Sequence, residues 1–142
     1  MKSPESVLRA ALIANEAFLG LVGTNVFPVI APEKDAHGSR VLLPFVTWRR
    51  VGVRRQQTLA APSGMPVTSV EFSIFGATYE QARAVADVMR GVLDGYGGSA
   101  NNTDVKQTSL EQESDDFVTL AGSELPPAYQ ISQQYDVWWQ ET

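Results

Sequence analysis

Four arginines and a tryptophan form the most distinctive polar segment of this sequence. Arg49, Arg50, Arg54 and Arg55 are four of its 11 Lys and Arg residues, and they fall within seven positions next to Trp48. Alternation along a β-strand would place Arg50 and Arg54 on one face with Trp48. Cations beside an aromatic ring are typical of nucleic-acid grooves and of the centres of protein interfaces. A contact with another protein subunit, a solvated edge strand and a nucleic-acid site are therefore all open interpretations.

Acidic residues gather in the second half of the chain. Eight of the 16 Asp and Glu residues lie from Asp104 onward, where Lys106 is the only basic residue. A basic strand on one subunit that faces an acidic edge on its neighbour would explain both clusters, so we favour a protein contact for the arginines. The net charge of -5 and the pI of about 4.8 disfavour nucleic-acid binding as a main task, because binding phosphates needs concentrated Lys and Arg.

The acidic run does not have the pattern of a metal site. Glu111, Glu113, Asp115 and Asp116 lack the ligand spacing and the central glycine of a calcium-binding loop. Charge runs of this kind usually face water, so we interpret this one as a solvated acidic loop. The sequence predicts no bound metal.

The usual catalytic residue patterns are also missing from the sequence. His37 is the only histidine, it lies in a segment broken by Pro and Gly, and the chain has no cysteine. Phosphate-binding, dinucleotide-binding, zinc-protease and nucleophile-elbow motifs do not occur. We therefore predict a protein that is not an enzyme and needs no cofactor. A small α+β enzyme or ligand-binding oligomer stays an alternative, which would need a pocket joining His37 or the late carboxylates to the arginines.

Length and composition predict a single α+β domain over residues 1–142. With 44% apolar and 19% charged residues, the chain is typical of a globular protein. No run of about 18 apolar residues occurs, so we expect no membrane-spanning segment.

Two segments have the period of an amphipathic helix. The first covers residues 4–22, with Pro4 at its first turn and Gly23 as its stop signal. The second begins at Thr78 and Gln81, which form a capping box, and ends at Gly95. Both carry an apolar stripe that would pack on one side of a sheet.

Four segments have the composition or alternation of β-strands, and three long connections separate them. The predicted strands are residues 45–54, 67–75, 105–111 and 128–139, and the projecting loops lie near 24–43, 56–66 and 112–127. The order α-β-β-α-β-β predicts a single antiparallel sheet of about four strands with two helices packed on one face. On the last strand Trp138 and Trp139 point to opposite faces, so at most one of them lies in the core.

Several segments, in this order, resemble the tail-terminator, or tail-completion, proteins of long-tailed bacteriophages. They are the amino-terminal helix with Leu19-x-x-Val22-Gly23, Asn25-Val26-Phe27-Pro28, Leu43-Pro44-Phe45-Val46 leading into Trp48-Arg49-Arg50, the passage from Phe72 to Ala82, and Tyr135-Asp136-Val137-Trp138-Trp139. The likeness covers nearly the whole chain.

The resemblance implies a structural virion protein without an active site. Subunits of this family assemble as a ring, typically a hexamer, on the last ring of the tail tube, where they stop tube growth and offer a surface to the head-tail connector or stopper protein. The expected partners are thus other copies of this chain, the major tail tube protein and the connector. DNA would pass through the ring without specific binding, and the protein would reside at the head-proximal end of the tail after assembly in the host cytoplasm. Another protein of the head-tail neck is the closest alternative.

We expect the loop from 56 to 66 to reach a neighbouring subunit or the tube, with Arg54 and Arg55 at its base. The residues predicted to form interfaces are Trp48, Arg49, Arg50, Arg54, Arg55, Leu59, Met65, Glu111, Glu113, Asp115, Asp116 and Trp138.

Overall fold

The computed structural model describes residues 4–23, 25–28, 44–57, 62–100, 103–118 and 128–141, and only the backbone of 53–57, 62–66, 100, 117–118, 128 and 141. Three helices and six strands follow one another along the chain. They are α1 (Pro4–Ala14), α2 (Glu16–Val22), β1 (Val26–Pro28), β2 (Phe45–Gln57), β3 (Pro62–Gly76), α3 (Tyr79–Leu93), β4 (Gly98–Ala100), β5 (Thr103–Val118) and β6 (Ala128–Glu141).

The first predicted helix is two helices, and Asn15 separates them. Asn15 has an extended backbone, and its side-chain oxygen accepts a hydrogen bond from the amide of Phe18 at 3.0 Å. Asparagine favours this N-cap position because its short side chain satisfies an otherwise unpaired amide of the new helix. The apolar period continues across the break, so periodicity alone could not reveal it. Gly23 ends α2 with a φ of 67°, as expected for a glycine stop.

The capping box of α3 is confirmed, with one difference. The amide of Gln81 donates to the Thr78 hydroxyl at 3.1 Å, while the Gln81 side-chain oxygen accepts from the amide of Ala77 at 2.7 Å, one residue before the cap. The helix ends at Leu93, two residues earlier than predicted, and Gly95 follows with a φ of 81°.

The strands form one mixed sheet in the order β1-β2-β3-β6-β5-β4. The four long strands are antiparallel neighbours, whereas β1 pairs with β2 in parallel. The expectation of about four strands in a purely antiparallel sheet was therefore wrong at both edges. Strands β1 and β4 have three residues each. Strands this short are formed by backbone pairing with a longer neighbour and need no alternation of residue types, so the sequence did not reveal them.

All three predicted loops contain strand, since β1 (Val26–Pro28) lies in the 24–43 region. In the 56–66 region, β2 extends to Gln57 and β3 begins at Pro62, so a β-ribbon replaces most of the loop. In the 112–127 region, β5 continues through the acidic run to Val118. Charged residues and proline are common on exposed sheet edges, where they prevent aggregation, and they conceal the strand from sequence analysis. The segments 29–43, 58–61 and 119–127 lie outside the described residues, as do His37 and Leu59.

The core lies between the three helices and one face of the sheet. Val70, Phe72 and Ile74 of β3 and Ile131 and Tyr135 of β6 are fully buried there. The sheet curls towards this side, because α1 reaches Arg50 of β2 and also contacts β4 and β5. We call the opposite side of the sheet the convex face. Ser69, Ser73 and Ser132 on this face are polar and half-buried, and Phe75 on the same face stacks on Phe45.

Gly76 makes the corner between β3 and α3 possible. It is buried, and a Cβ atom at this position would lie 2.8 Å from the backbone nitrogen of Ala82. No larger residue fits without moving the first turn of α3 away from the sheet.

Candidate interaction surface

Arg49 and Arg50 are adjacent on β2 but have different environments. Arg49 lies opposite Glu71 on the convex face, and its Nε donates to Glu71 Oε1 at 3.3 Å, close to solvent. Arg50 lies opposite Val70 on the helix side of the sheet. There its guanidinium donates from Nε and Nη2 to both carboxylate oxygens of Glu5, at 2.6 and 3.1 Å.

The Arg50–Glu5 pair connects the first turn of α1 to the sheet. The Glu5 side chain is 1% exposed, whereas that of Arg50 is 36% exposed. The hydrogen bond to Glu5 and its charge raise the pKa of Arg50 against the opposing effect of burial. A carboxylate buried to this extent needs its cationic partner. Arg50 is therefore committed to a contact inside the chain.

A β-bulge separates Arg50 from the two later arginines. The register of β2 against β3 shifts between Arg50 and Gly52, so that Arg54 lies opposite Val67. Because Val67 and Val70 are on opposite faces of β3, the positions of Arg50 and Arg54 are also on opposite faces. Arg50 shares the helix side with Trp48, as predicted, but the prediction was wrong for Arg54, since a bulge is not visible in a strand pattern.

Trp48 lies on the helix side of β2, opposite Phe72, where it packs against the core and is half-buried. Its Nε1 is buried and has no hydrogen-bond partner within the described part of the chain. On β6, Trp139 is in the core and donates to the Thr68 hydroxyl at 2.8 Å. Trp138 is half-buried on the convex face. The expectation that the two last tryptophans point to opposite faces is confirmed.

The acidic residues of β5, like the arginines of β2, have different environments: some bind groups of α3 and others are exposed. Glu113 lies on the helix side and binds Arg83 of α3 at 2.7 Å. Asp115 accepts a hydrogen bond from the Tyr79 hydroxyl at 3.0 Å. Glu111 sits at a bulge between Leu110 and Gln112 and is exposed, and Asp116 is exposed further along the strand.

Arg83 is the centre of this charge network. Burial alone would lower the pKa of Arg83, but hydrogen bonds to Glu113 and Tyr79 and the charges of Glu113 and Asp87 outweigh burial and raise it. The network continues into the core. Gln133 donates to Glu113 at 2.8 Å and to the Ala86 carbonyl at 3.0 Å, and it accepts from the buried Tyr135 hydroxyl at 2.8 Å.

The structure thus brings together few of the predicted interface residues. Within one subunit the basic part of β2 and the acidic part of β5 are separated by β3 and β6. Met65 lies in the ribbon formed by β2 and β3, together with Arg54 and Arg55. Among the described residues, no group of His, Asp and Glu has the geometry to hold a metal ion. None of the described helices is long and apolar enough to cross a membrane.

Comparison with known proteins gives a result at the level of structure. No protein-family model matches the sequence. A search of curated proteins also finds no match. In contrast, the fold matches a chain of the solved structure described as "Virion of native gene transfer agent (GTA) particle". This fold occurs in a virion.

The match to the gene transfer agent chain extends over almost the whole of both proteins. It has a TM-score of 0.73 and covers 96% of this chain and 93% of the other, at 16% sequence identity. The helices and strands described above are therefore shared as one complete arrangement.

Sequence reasoning missed the residues that bind the predicted charges inside the chain, namely Glu5, Glu71, Tyr79 and Arg83. The spacing of Arg83 and Asp87 is that of a helical ion pair and could have drawn attention to Arg83. Nothing in the sequence indicates that Glu5 meets Arg50, because the contact spans 45 positions.

Proposed function

We propose that this protein is a structural component of a phage-like virion. The observation that carries the proposal is the common fold with a chain of the gene transfer agent particle, which leaves almost no part of either chain unmatched. A match of this extent supports a comparable building block.

Within the virion, we propose the role of tail terminator, a ring that ends the tail tube and receives the head connector. The sequence resemblance described above supports this role. The ribbon of β2 and β3 supports it too. β6 pairs with β3 only from Val67 onward, so among the described residues Pro62–Pro66 of β3 have β2 as their one neighbour. An isolated two-stranded ribbon is marginally stable in water and gains from a partner.

The charge of the subunit is compatible with a ring around DNA. The net charge is -5, and β3 from Val67 onward and the whole of β6 contain no Lys or Arg. Surfaces without concentrated positive charge do not release counterions from DNA and so do not retain it.

The proposal is tested by mixing the purified protein with the tube protein of the same virion. Light scattering gives the mass of the protein alone and in the mixture, and negative-stain images show the tube ends. We expect rings, or tubes of limited length that carry an additional ring at one end. Tubes that keep growing at both ends in excess protein would contradict the terminator role. Binding to the connector without binding to tubes would favour the alternative role in the neck.

Deletion of residues 59–65 tests the ribbon separately. We expect this variant to fold as a monomer with the wild-type circular dichroism spectrum and to lose tube capping. Arg90→Glu, which reverses a charge on the exposed side of α3, is the control and should cap tubes normally. Normal capping by the deletion variant would exclude the ribbon as the contact.

A further inference from the structure

Two strand edges of opposite charge lie on opposite sides of the sheet. Among the described residues, positions 52–55 of β2 pair with β3 alone, and positions 111–114 of β5 pair with β6 alone. The first edge contains Arg54 and Arg55, and the second contains Glu111 and Glu113. An unpaired edge presents a row of backbone donors and acceptors to any strand that can approach it.

Hydrogen bonds from the turn after α3 show where the unpaired edge of β5 begins. The amide of Gly95 donates to the Thr108 carbonyl at 2.7 Å, and the amide of Leu110 donates to Asp94 Oδ1 at 3.2 Å. The turn after α3 therefore covers this edge as far as Leu110. The bulge at Glu111 follows directly, and from there to position 114 β6 is the one strand that pairs with β5 among the described residues.

We propose that these edges pair with each other between subunits, so that residues 52–55 of one copy extend the sheet of the next copy at its residues 111–114. The inference rests on the proposed ring and specifies its subunit contact. The alternating directions of β2, β3, β6 and β5 mean that β2 and β5 run oppositely. In a ring each copy keeps its strand direction, so a neighbour's β2 next to β5 continues the antiparallel order.

The side of the sheet on which each residue lies determines the register between β2 of one copy and β5 of the next. Gly52 lies opposite Ser69 on the convex face, and Ser114 lies opposite Ser132 on the same face. Pairing Gly52 with Ser114 keeps the polar residues of both copies on one side, whereas a shift by one residue would invert them. In this register Arg54 is beside Gln112, and Arg55 is next to Glu111 of the other copy.

This register requires inclined strands. Within one subunit, Val67 and Trp138 connect Arg54 to the level of Gln107, whereas Gln112 lies opposite Gln134, four residue levels away on β6. A shift of that size is roughly 13 Å along the strand, and four strand spacings are roughly 19 Å across it. The strands would thus be tilted by about 35° to the ring axis, as in closed β structures.

The charges select this contact over the two symmetric ones. Two copies of the β2 edge would bring arginines together, and two copies of the β5 edge would bring carboxylates together. Both pairings are repulsive, so only the unlike edges attract each other. Contacts between unlike surfaces produce rings when the rotation closes.

The absence of cysteine allows a direct test by disulfide formation. In the variant Gly52→Cys/Ser114→Cys, the two residues of one subunit are separated by β3 and β6, too far for a disulfide within the chain. A Cβ at Gly52 has open space, and Ser114 is exposed. The matched control is Gly52→Cys/Gly91→Cys, since Gly91 is also exposed with open space and lies on α3. Both variants are assembled on tubes of the virion's tube protein and oxidised.

We expect a ladder of cross-linked multimers on a denaturing gel for the first variant and none for the control. Hydrogen exchange on the wild-type protein gives a second measurement that needs no substitution. Amides of residues 111–114 should exchange about tenfold or more slowly in the ring than in the monomer. Rings that cap tubes without the ladder and without this protection would overturn the edge pairing and leave the terminator role intact. Wild-type protein that neither forms rings nor caps tubes would overturn both.

Discussion

Strands β2 and β5 carry the two charge clusters of this protein. In both strands, one charged residue binds a helix of the same subunit and others lie further along the strand. On β2, Arg50 is bound to a buried carboxylate of α1, whereas Arg54 and Arg55 lie where β3 is the one neighbour of β2 among the described residues. On β5, Glu113 is bound to Arg83 of α3, whereas Glu111 is exposed at a bulge. In each strand one charge binds a helix of the same subunit, and we propose that the charges further along the strand serve assembly.

The Arg50–Glu5 and Arg83–Glu113 contacts differ in how deeply the carboxylate is buried. Glu5 is almost completely removed from water and accepts two hydrogen bonds from Arg50. Glu113 shares Arg83 with other carboxylates and keeps partial contact with solvent. A buried carboxylate cannot replace a lost cationic contact with water, whereas a half-exposed one can. The β2 contact should therefore be the more costly one to break, and the following variants test this difference.

Arg50→Ala should have the largest effect. It removes two hydrogen bonds and the facing positive charge from the buried carboxylate of Glu5 and should lower the free energy of unfolding by about 3 kcal/mol. The neighbouring Arg49→Ala, which breaks the exposed pair with Glu71, should cost less than about 1 kcal/mol. Urea denaturation at neutral pH measures both values. Equal losses would show that the buried pair is no stronger than the exposed one.

Arg83→Ala should have an intermediate effect. It removes the hydrogen bonds to Glu113 and Tyr79, but both partners can be hydrated, so we expect a loss of about 1–2 kcal/mol in the same measurement. Asp87→Ala removes only the exposed helical pair and should cost about 0.5 kcal/mol or less. A loss for Arg83→Ala as large as that for Arg50→Ala would remove the distinction between the two contacts.

Of the three substitutions at contacts within the core side of the sheet, Tyr135→Phe should have the smallest effect, and its size should depend on pH. At neutral pH it removes the hydrogen bond to Gln133 and should cost about 1 kcal/mol. Burial, followed by the charges of Asp94 and Glu113, raises the pKa of Tyr135. The neutral phenol is thus favoured in the folded protein, and its contribution is complete below the ordinary tyrosine pKa of about 10 and is lost as the pH rises towards the raised value.

Wild type should therefore lose stability above about pH 10 more steeply than Tyr135→Phe, so that the difference between them decreases. Denaturation midpoints at neutral and alkaline pH measure this change. A constant difference across the whole range would indicate that the phenol does not ionise on unfolding.

Local signals predicted the regular parts of the fold. The stripe and cap of α3 fixed its start at Thr78, and strict alternation in β6 predicted its position and the opposite faces of Trp138 and Trp139. The acidic end of β5 was predicted as a loop, because a charged edge strand has the composition of a solvated segment. The break at Asn15 was missed because the apolar period passes through it.

The sequence by itself determined the mixed composition of helix and strand, the two charge clusters and the capped start of α3, because each depends on residues that are close along the chain. Only the tertiary structure decided which charge meets which. The Arg50–Glu5 contact spans 45 positions, and the bulge after Arg50 reverses the face of every later position in β2. Contacts between residues far apart in the sequence depend on how the sheet curls around α1, and that curvature cannot be predicted from the alternation of residue types in a strand.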